Sequence, residues 1–153
     1  MSIDLKIKKV SDDAVLPTKA YQYDAGIDLY SCEDKTIKAG DLSLVNTGIA
    51  MEIPAGYVGL IWDRSSVGSK GVHRFAGVID SAYRGEIKVC MHNSSHGRGW
   101  WPYDHTKYKV KSGDKIAQIV IHKIPEVTLT EVDELSESNR GNLGFGSSDK
   151  KSI

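Results

Sequence analysis

The sequence predicts an all-β fold, a sandwich, jelly roll or barrel of short strands. Three observations carry that prediction. Apolar and polar residues alternate with strand period, as in Ile3, Leu5 and Ile7 against Asp4, Lys6 and Lys8. Turn signals such as Ala39-Gly40-Asp41, Pro54-Ala55-Gly56 and Lys111-Ser112-Gly113-Asp114 recur at short intervals. No amphipathic helix of normal length can be drawn along the chain.

Taken in order, residues 3–9 read as a strand. A loop carrying Pro17 leads to Asp24-Ala25-Gly26-Ile27-Asp28-Leu29-Tyr30. There Gly26, between two acids, marks a bend that turns one carboxylate inward with Leu29 packed behind it. Residues 42–53 and, after the Pro54 turn, 57–62 read as strands, and a short helical turn is expected over 67–70. Next, Val78-Ile79, a turn closed by Gly85, and a run with Ile87, Val89 and Met91 opposite Glu86, Lys88 and Cys90 read as a hairpin. That hairpin would hold a carboxylate, Asp80, and a phenol ring, Tyr83, at its mouth. Residues 93–107 read as irregular, with Gly97, Gly99, Pro102 and a Trp100-Trp101 pair. Strands over 116–124 and about 127–132 follow, and the tail from Ser136 is polar and glycine-rich. The predicted organisation is one β domain over 1–135 and a flexible C-terminal segment over 136–153.

The totals narrow the function classes. The 153 residues carry 20 basic and 20 acidic side chains, so no whole-molecule field recruits nucleic acid or a membrane surface. An anionic ligand must be held by locally placed groups. Cys32 and Cys90 form neither a disulfide framework nor a Cys-x-x-Cys pattern. The polar, alternating start is unlike a signal segment, and no apolar run is long enough to span a bilayer. A cytosolic compartment, of a cell or an infected host, is the expectation.

Several stretches carry candidate chemistry. Asp80 and Tyr83 suit a small site that places a water and a substrate, although on this stretch alone an ordinary turn is the favoured reading. Arg64-Ser65-Ser66 before Gly68 offers a planar charged fork, two hydroxyls and backbone N–H groups, the donors a phosphate needs; a polar turn fits as well. The tail Arg140-Gly141-Asn142-Leu143-Gly144-Phe145-Gly146-Ser147-Ser148 sets one aromatic among glycines. It reads either as a solvated end or as a segment folding over a ligand, with the ring as cover and Arg140, Ser147 and Ser148 on phosphate. Gln118 interrupts an apolar strand with an amide, for structural pairing or for ligand contact. His92 and His96 have the spacing of a zinc pair but lie in Ser/Gly sequence without a third ligand, so a loop is expected there. Trp100-Trp101 lacks the basic groove of a base-stacking platform and reads as loop packing.

Five of these stretches together resemble the trimeric dUTP diphosphatases (dUTPases), in the family's order. They are Ala25-Gly26-Ile27-Asp28-Leu29, Arg64-Ser65-Ser66, Gly77-Val78-Ile79-Asp80-Ser81-Ala82-Tyr83-Arg84-Gly85, Gly113-Asp114-Lys115-Ile116-Ala117-Gln118 and Arg140-Gly141-Asn142-Leu143-Gly144-Phe145-Gly146-Ser147. The resemblance spans residues 25–148. It implies a β-clip or distorted jelly-roll protomer, a homotrimer with active sites shared between chains, and hydrolysis of dUTP to dUMP and pyrophosphate with Mg2+. That reaction limits uracil incorporation into DNA and supplies dUMP for dTMP synthesis. By the same resemblance, Asp80 holds the water that attacks the α-phosphorus and Tyr83 lies against the deoxyribose. Backbone groups of Gly77, Val78 and Ile79 read the uracil edge. Arg64, Ser65, Ser66 and Gln118 bind the phosphates from a neighbouring chain. Arg140, Phe145, Gly146, Ser147 and Ser148 close as a lid from the third, with Phe145 over the uracil. Asp28 holds metal-bound water.

Four departures from the family pattern stand out. Leu143 replaces a common glycine, and Asp149 puts a negative charge where glycine is usual. Arg74 occupies a position that relatives often fill with a smaller or neutral group, and the loop over 93–112 is long. The nearest rival is a dCTP deaminase on the same fold, with Glu86 as its general base. Against it, the Asp80–Tyr83 pair is the hydrolase pattern, and Ile87-Lys88-Val89 is not a deaminase-like Thr-Leu-Glu.

Overall fold

The computed structural model describes residues 3–95, 106–139 and 141–142. Its strands are β1 (Lys6–Lys9), β2 (Ile27–Tyr30), β3 (Lys35–Lys38), β4 (Leu42–Asn46), β5 (Ile49–Glu52) and β6 (Tyr57–Trp62). A single helical turn, α1 (Ser65–Gly68), precedes β7 (Val72–Phe75), β8 (Val78–Ile79), β9 (Lys88–Asn93), β10 (Lys107–Val110) and β11 (Lys115–Lys123). Strand order is β2-β11-β6-β8 in one sheet and β4-β9-β7 in a second, with the pairs β1-β5 and β10-β3 beside them. Every pairing is antiparallel.

One core joins these sheets. Leu29, Ile37, Val45, Ile49, Ile87, Val89, Met91, Ile116 and Ile119 are almost fully buried in it. Alternation along β9 works as predicted, with Val89 and Met91 inward and Lys88 exposed. Gly59 lets β6 lie tightly on this core, because a Cβ there would sit 2.7 Å from Ile53 Cδ1 and 2.8 Å from Ile119 Cδ1.

The structure corrects several expectations. The hairpin around Asp80 does not form: β8 pairs with β6, whereas β9 pairs with β4 and β7. The segment between them crosses from one sheet to the other, although a turn does form at its start, where the Tyr83 N–H donates to the Asp80 carbonyl at 3.0 Å. The single strand over 42–53 is two, broken at Thr47-Gly48, where Gly48 adopts φ +67 and a Cβ would meet Ala14 Cβ at 2.8 Å. The helical turn starts at Ser65 rather than 67. His92 lies in β9 rather than in a loop. No strand forms over 127–132: Val127 is 69% exposed and Leu129 91%, since nothing among the described residues covers them.

Candidate active site

Most of the predicted site residues that the structure describes line two clefts that share no lining residue. The first, about 390 Å³, is lined by Ala20, Asp24, Ala25, Gly26, Asp28, Arg64, Ser65 and Gln118. Three sheet neighbours build it: Asp28 on β2 and Gln118 on β11 are register partners, and Gln118 is also opposite Trp62 at the end of β6. Arg64 to Ser66 leave that strand end and open α1.

Asp28 is the hub of this cleft, its side chain only 13% exposed. Its Oδ1 accepts from Arg64 Nε at 2.8 Å and its Oδ2 from Lys115 Nζ at 2.7 Å. The carboxylate thus aims the Arg64 fork, whose Nη1 donates to Ser66 Oγ at 3.2 Å. Lys115 also stands over the Tyr30 ring, 5.7 Å from its centroid. Its hydrogen bond to Asp28, joined by the charge attraction, raises the Lys115 pKa above the ordinary lysine value against the opposing effect of desolvation. Gln118 Nε2 donates to the Asp63 carbonyl at 2.8 Å, pinning the amide to the residue before Arg64. A Cβ on Gly26 would lie 1.9 Å from Gln118 Oε1 and 2.8 Å from its Cδ, so a side chain there would displace the amide from its bond to Asp63. The inward carboxylate predicted beside Gly26 is therefore Asp28, with Leu29 fully buried behind it.

The second cleft, about 230 Å³, is lined by Val78, Ile79, Asp80, Tyr83, Glu86 and Lys88. Tyr83 Oη donates to the Glu86 carbonyl at 3.0 Å, so the ring folds back over Gly85, where a Cβ would be 2.4 Å from Oη. That leaves the Asp80 carboxylate at the rim, exposed to solvent. Glu86 is already engaged: Oε1 accepts the Gly48 N–H at 2.9 Å and Oε2 pairs with Lys88 Nζ at 3.5 Å. Both Glu86 oxygens are thus committed to contacts within the protomer, which counts against its serving as a deaminase's general base.

Gly77 lies just behind this cleft, its carbonyl accepting the Ile61 N–H at 2.8 Å. The expectations for Arg140, Phe145, Gly146, Ser147 and Ser148 fall outside the described residues, as do those for His96 and Trp100-Trp101. Sequence reasoning missed Asp24 and Lys115. Asp24 was quoted only as a flank of Gly26, yet it lines the first cleft and caps its own loop by accepting the Tyr21 N–H at 2.9 Å. Lys115 sits at a register shift in β11, and such a bulge re-aims a side chain in a way that simple alternation does not show.

The donor set suits a hard cation that keeps its waters. Asp24, Asp28 and Gln118 line the first cleft with oxygens, but both Asp28 oxygens are already paired with Arg64 and Lys115, so a magnesium ion there would be met through its waters rather than directly. Among the described residues no three His, Cys, Asp or Glu side chains gather as a protein cage. Magnesium held largely by phosphate and water needs none. No helix among the described residues is long and apolar enough to cross a membrane.

The chain is similar to known proteins over nearly its whole length. The dUTPase family model matches residues 12–149. The deoxyuridine 5'-triphosphate nucleotidohydrolase of Clostridium acetobutylicum is 43% identical over 97% of this chain and 99% of its own length. Its counterpart from Clostridium tetani is 44% identical over 95% and 97% respectively. Among solved structures, a mutant dUTPase of Staphylococcus bacteriophage 80alpha with dUpNHpp superposes with a TM-score of 0.85 at 30% identity, over 96% of this chain and 99% of that one. A mutant dUTPase from phage phi11 of S. aureus, described with a structural Mg(II) ion, gives 0.78 at 28% identity, over 88% and 100%. The jelly-roll or β-clip architecture expected from the sequence is therefore the fold of this chain. Matched over nearly its whole length by both sequence and shape, the chain belongs to the dUTPase family.

Proposed function

We propose that this dUTPase-family enzyme hydrolyses dUTP to dUMP and pyrophosphate in sites shared among three copies of the chain. One observation carries the reading: residues expected to bind phosphate and residues expected to meet base and water line separate clefts of one protomer. A nucleoside triphosphate needs both, so each substrate lies between the first cleft of one copy and the second cleft of another. Two exposed apolar surfaces support association. Leu42, Leu44 and Phe75 crowd the outer face of the β4-β9-β7 sheet, at 56%, 53% and 51% exposure. The arm with Val127, Leu129 and Leu135 has apolar side chains that a neighbouring copy would cover.

In the second cleft, Asp80 orients the water for in-line attack on the α-phosphorus. Its contribution is position and charge, which hold the water in line with the phosphorus. Tyr83 stacks on the deoxyribose and leaves no room for a 2′-hydroxyl. The backbone of Gly77, Val78 and Ile79 offers a fixed donor–acceptor edge to uracil. From the neighbouring copy, Arg64, Ser65, Ser66 and Gln118 receive the phosphates, with Arg64 aimed by Asp28. Asp28 and Asp24 would hold waters of a bound Mg2+. Mg2+, when bound, supplies charge neutralisation on the triphosphate, and phosphoryl transfer asks mainly for such positioning and neutralisation. Residues 136–153 form the lid, with Arg140 on the terminal phosphate, Phe145 over the base, and Gly146, Ser147 and Ser148 along the phosphates. Removing dUTP in the cytosol would limit uracil incorporation into DNA and supply dUMP for dTMP synthesis.

The test is pyrophosphate release from dUTP, dCTP, dTTP and UTP, with and without Mg2+. Release from dUTP alone, strengthened by the ion, is expected. Silence toward dUTP, or ammonia from dCTP, would refute the assignment.

A further inference from the structure

Arg74 lines neither cleft, yet it connects the entrance of each. Its guanidinium lies over the Trp62 ring, 5.2 Å from the centroid, and its Nη1 donates to the Ala76 carbonyl at 2.7 Å. Its backbone N–H donates to Asp63 Oδ1 at 2.8 Å. Trp62 and Asp63 lead directly into Arg64, while Ala76 leads directly into Gly77.

The turn it braces is strained. Ala76 adopts φ 60, alone among the described non-glycine residues in having a positive φ, and Gly77 follows at φ 121. A left-handed alanine persists only where its surroundings over-determine it. Two contacts do so here. The guanidinium holds the Ala76 carbonyl from one side, and the Ile61 N–H holds the Gly77 carbonyl at 2.8 Å from the other. There is no slack: a Cβ on Gly77 would lie 3.0 Å from the Ile61 carbonyl oxygen and 3.5 Å from Arg74 Nη1. The Arg74 Nε is buried without an acceptor, an unfavourable arrangement that a surface arginine would avoid by swinging out. Stacking on Trp62 while donating to a carbonyl requires a flat, multi-donor cation, which lysine is not.

We infer that Arg74 is a positioning residue for base selection: clamped between Trp62 and the Ala76 carbonyl, it fixes where the backbone of 77–79 stands beside Asp80. The inference rests on the proposed reading that this backbone meets the base. A donor–acceptor edge discriminates only while its atoms are held in place, so a loosened turn accepts uracil less well and rejects cytosine less sharply.

The test compares full-length Arg74→Met, Arg74→Lys and Trp62→Leu with the natural chain, using dUTP and dCTP. For Arg74→Met, we expect KM for dUTP to rise about tenfold with kcat within about threefold, and the dUTP/dCTP ratio of kcat/KM to fall at least about tenfold. Arg74→Lys should regain part of the KM but not the selectivity. Trp62→Leu should shift both in the same direction, and adding it to Arg74→Met should cost little more, because the two side chains act as one unit. A mere structural staple would lower the melting temperature and leave the ratio alone. If Arg74→Met fails to fold, the lysine and Trp62 variants read the same ratio. Unchanged selectivity in the variants that fold overturns the inference. Titrating the 15N-labelled natural chain with dUMP separates the two levels. Silent Val78 and Ile79 amides would overturn the base reading itself. Responsive amides with unaltered variants overturn only the role of Arg74.

Discussion

Asp80 stands exposed at a rim, with no basic partner among its described contacts, so its value lies in where the turn to Tyr83 holds it. Asp80→Asn keeps the shape but removes the charge that orients the water. Turnover should fall at least a thousandfold, roughly 4 kcal/mol of barrier, while dUTP still binds. Pyrophosphate release and calorimetric binding check the two halves, and near-normal turnover would count against the role. Lys115 gives a prediction of a different kind. Its pKa is raised in the folded chain by Asp28, so the protonated form is preferred on folding. The resulting stabilisation is complete below the ordinary lysine value of 10.5 and disappears as pH rises through the higher folded value. The melting-temperature gap between the natural chain and Lys115→Met should therefore be constant from neutral pH upward and shrink only above 10.5. A gap that closes by neutral pH would show that the ion pair is not its source. Neither Lys115 nor the reason for Gly26 was legible beforehand. Both depend on which residues β2 and β11 place opposite each other, and Gly26 meets Gln118 only across that pairing.

Elements were legible where local pattern and burial coincide. β6 follows the Pro54 turn and begins and ends where the sequence placed it, and β9 alternates as read. β3, β7 and β10 were missed because each buries one residue, Ile37, Val72 or Val110, among polar neighbours, too little for a period to show. The hairpin failed for another reason: adjacency in sequence predicts pairing, but β8 and β9 each find a more distant partner in a different sheet. Alternation over 127–132 is genuine, yet without a covering surface it forms no ladder in one protomer. Packing at β6 can be tested directly. Gly59→Ala puts a methyl group against Ile53, Ile119 and Ile79, and should destabilise the fold by about 1–3 kcal/mol in urea unfolding. Gly68→Ala is the control. Its Cβ would meet nothing closer than Asp63 Cβ at 3.8 Å. Its helical backbone tolerates alanine, so stability should change by less than about 1 kcal/mol. Equal losses in both would mean that the core beneath β6 yields more than its close contacts imply.

At the scale of the whole molecule, the resemblance carried by the five motifs already implied sites shared between chains, and in one protomer the described residues of those motifs are split between two clefts. The split follows from the sheets: β2, β11 and the end of β6 gather Asp28, Gln118 and Arg64, while β8 carries Val78 and Ile79 off to another edge. If each site joins two copies, two dead chains should rescue each other. Asp80→Asn disables the second cleft and leaves the first intact; Arg64→Ala does the reverse. Each variant alone should be nearly inactive. Unfolded together and refolded as a one-to-one mixture, random trimers would carry both intact halves at roughly a quarter of their sites, by the rotational symmetry of a ring. The mixture should then recover about that share of natural turnover, while mixing without refolding recovers none. The lid and any contribution from the third copy do not alter this count, since both variants carry them unchanged. A refolded mixture that stays as inactive as its parents would mean that both clefts serve the same substrate within one chain, and the shared-site reading would have to be abandoned.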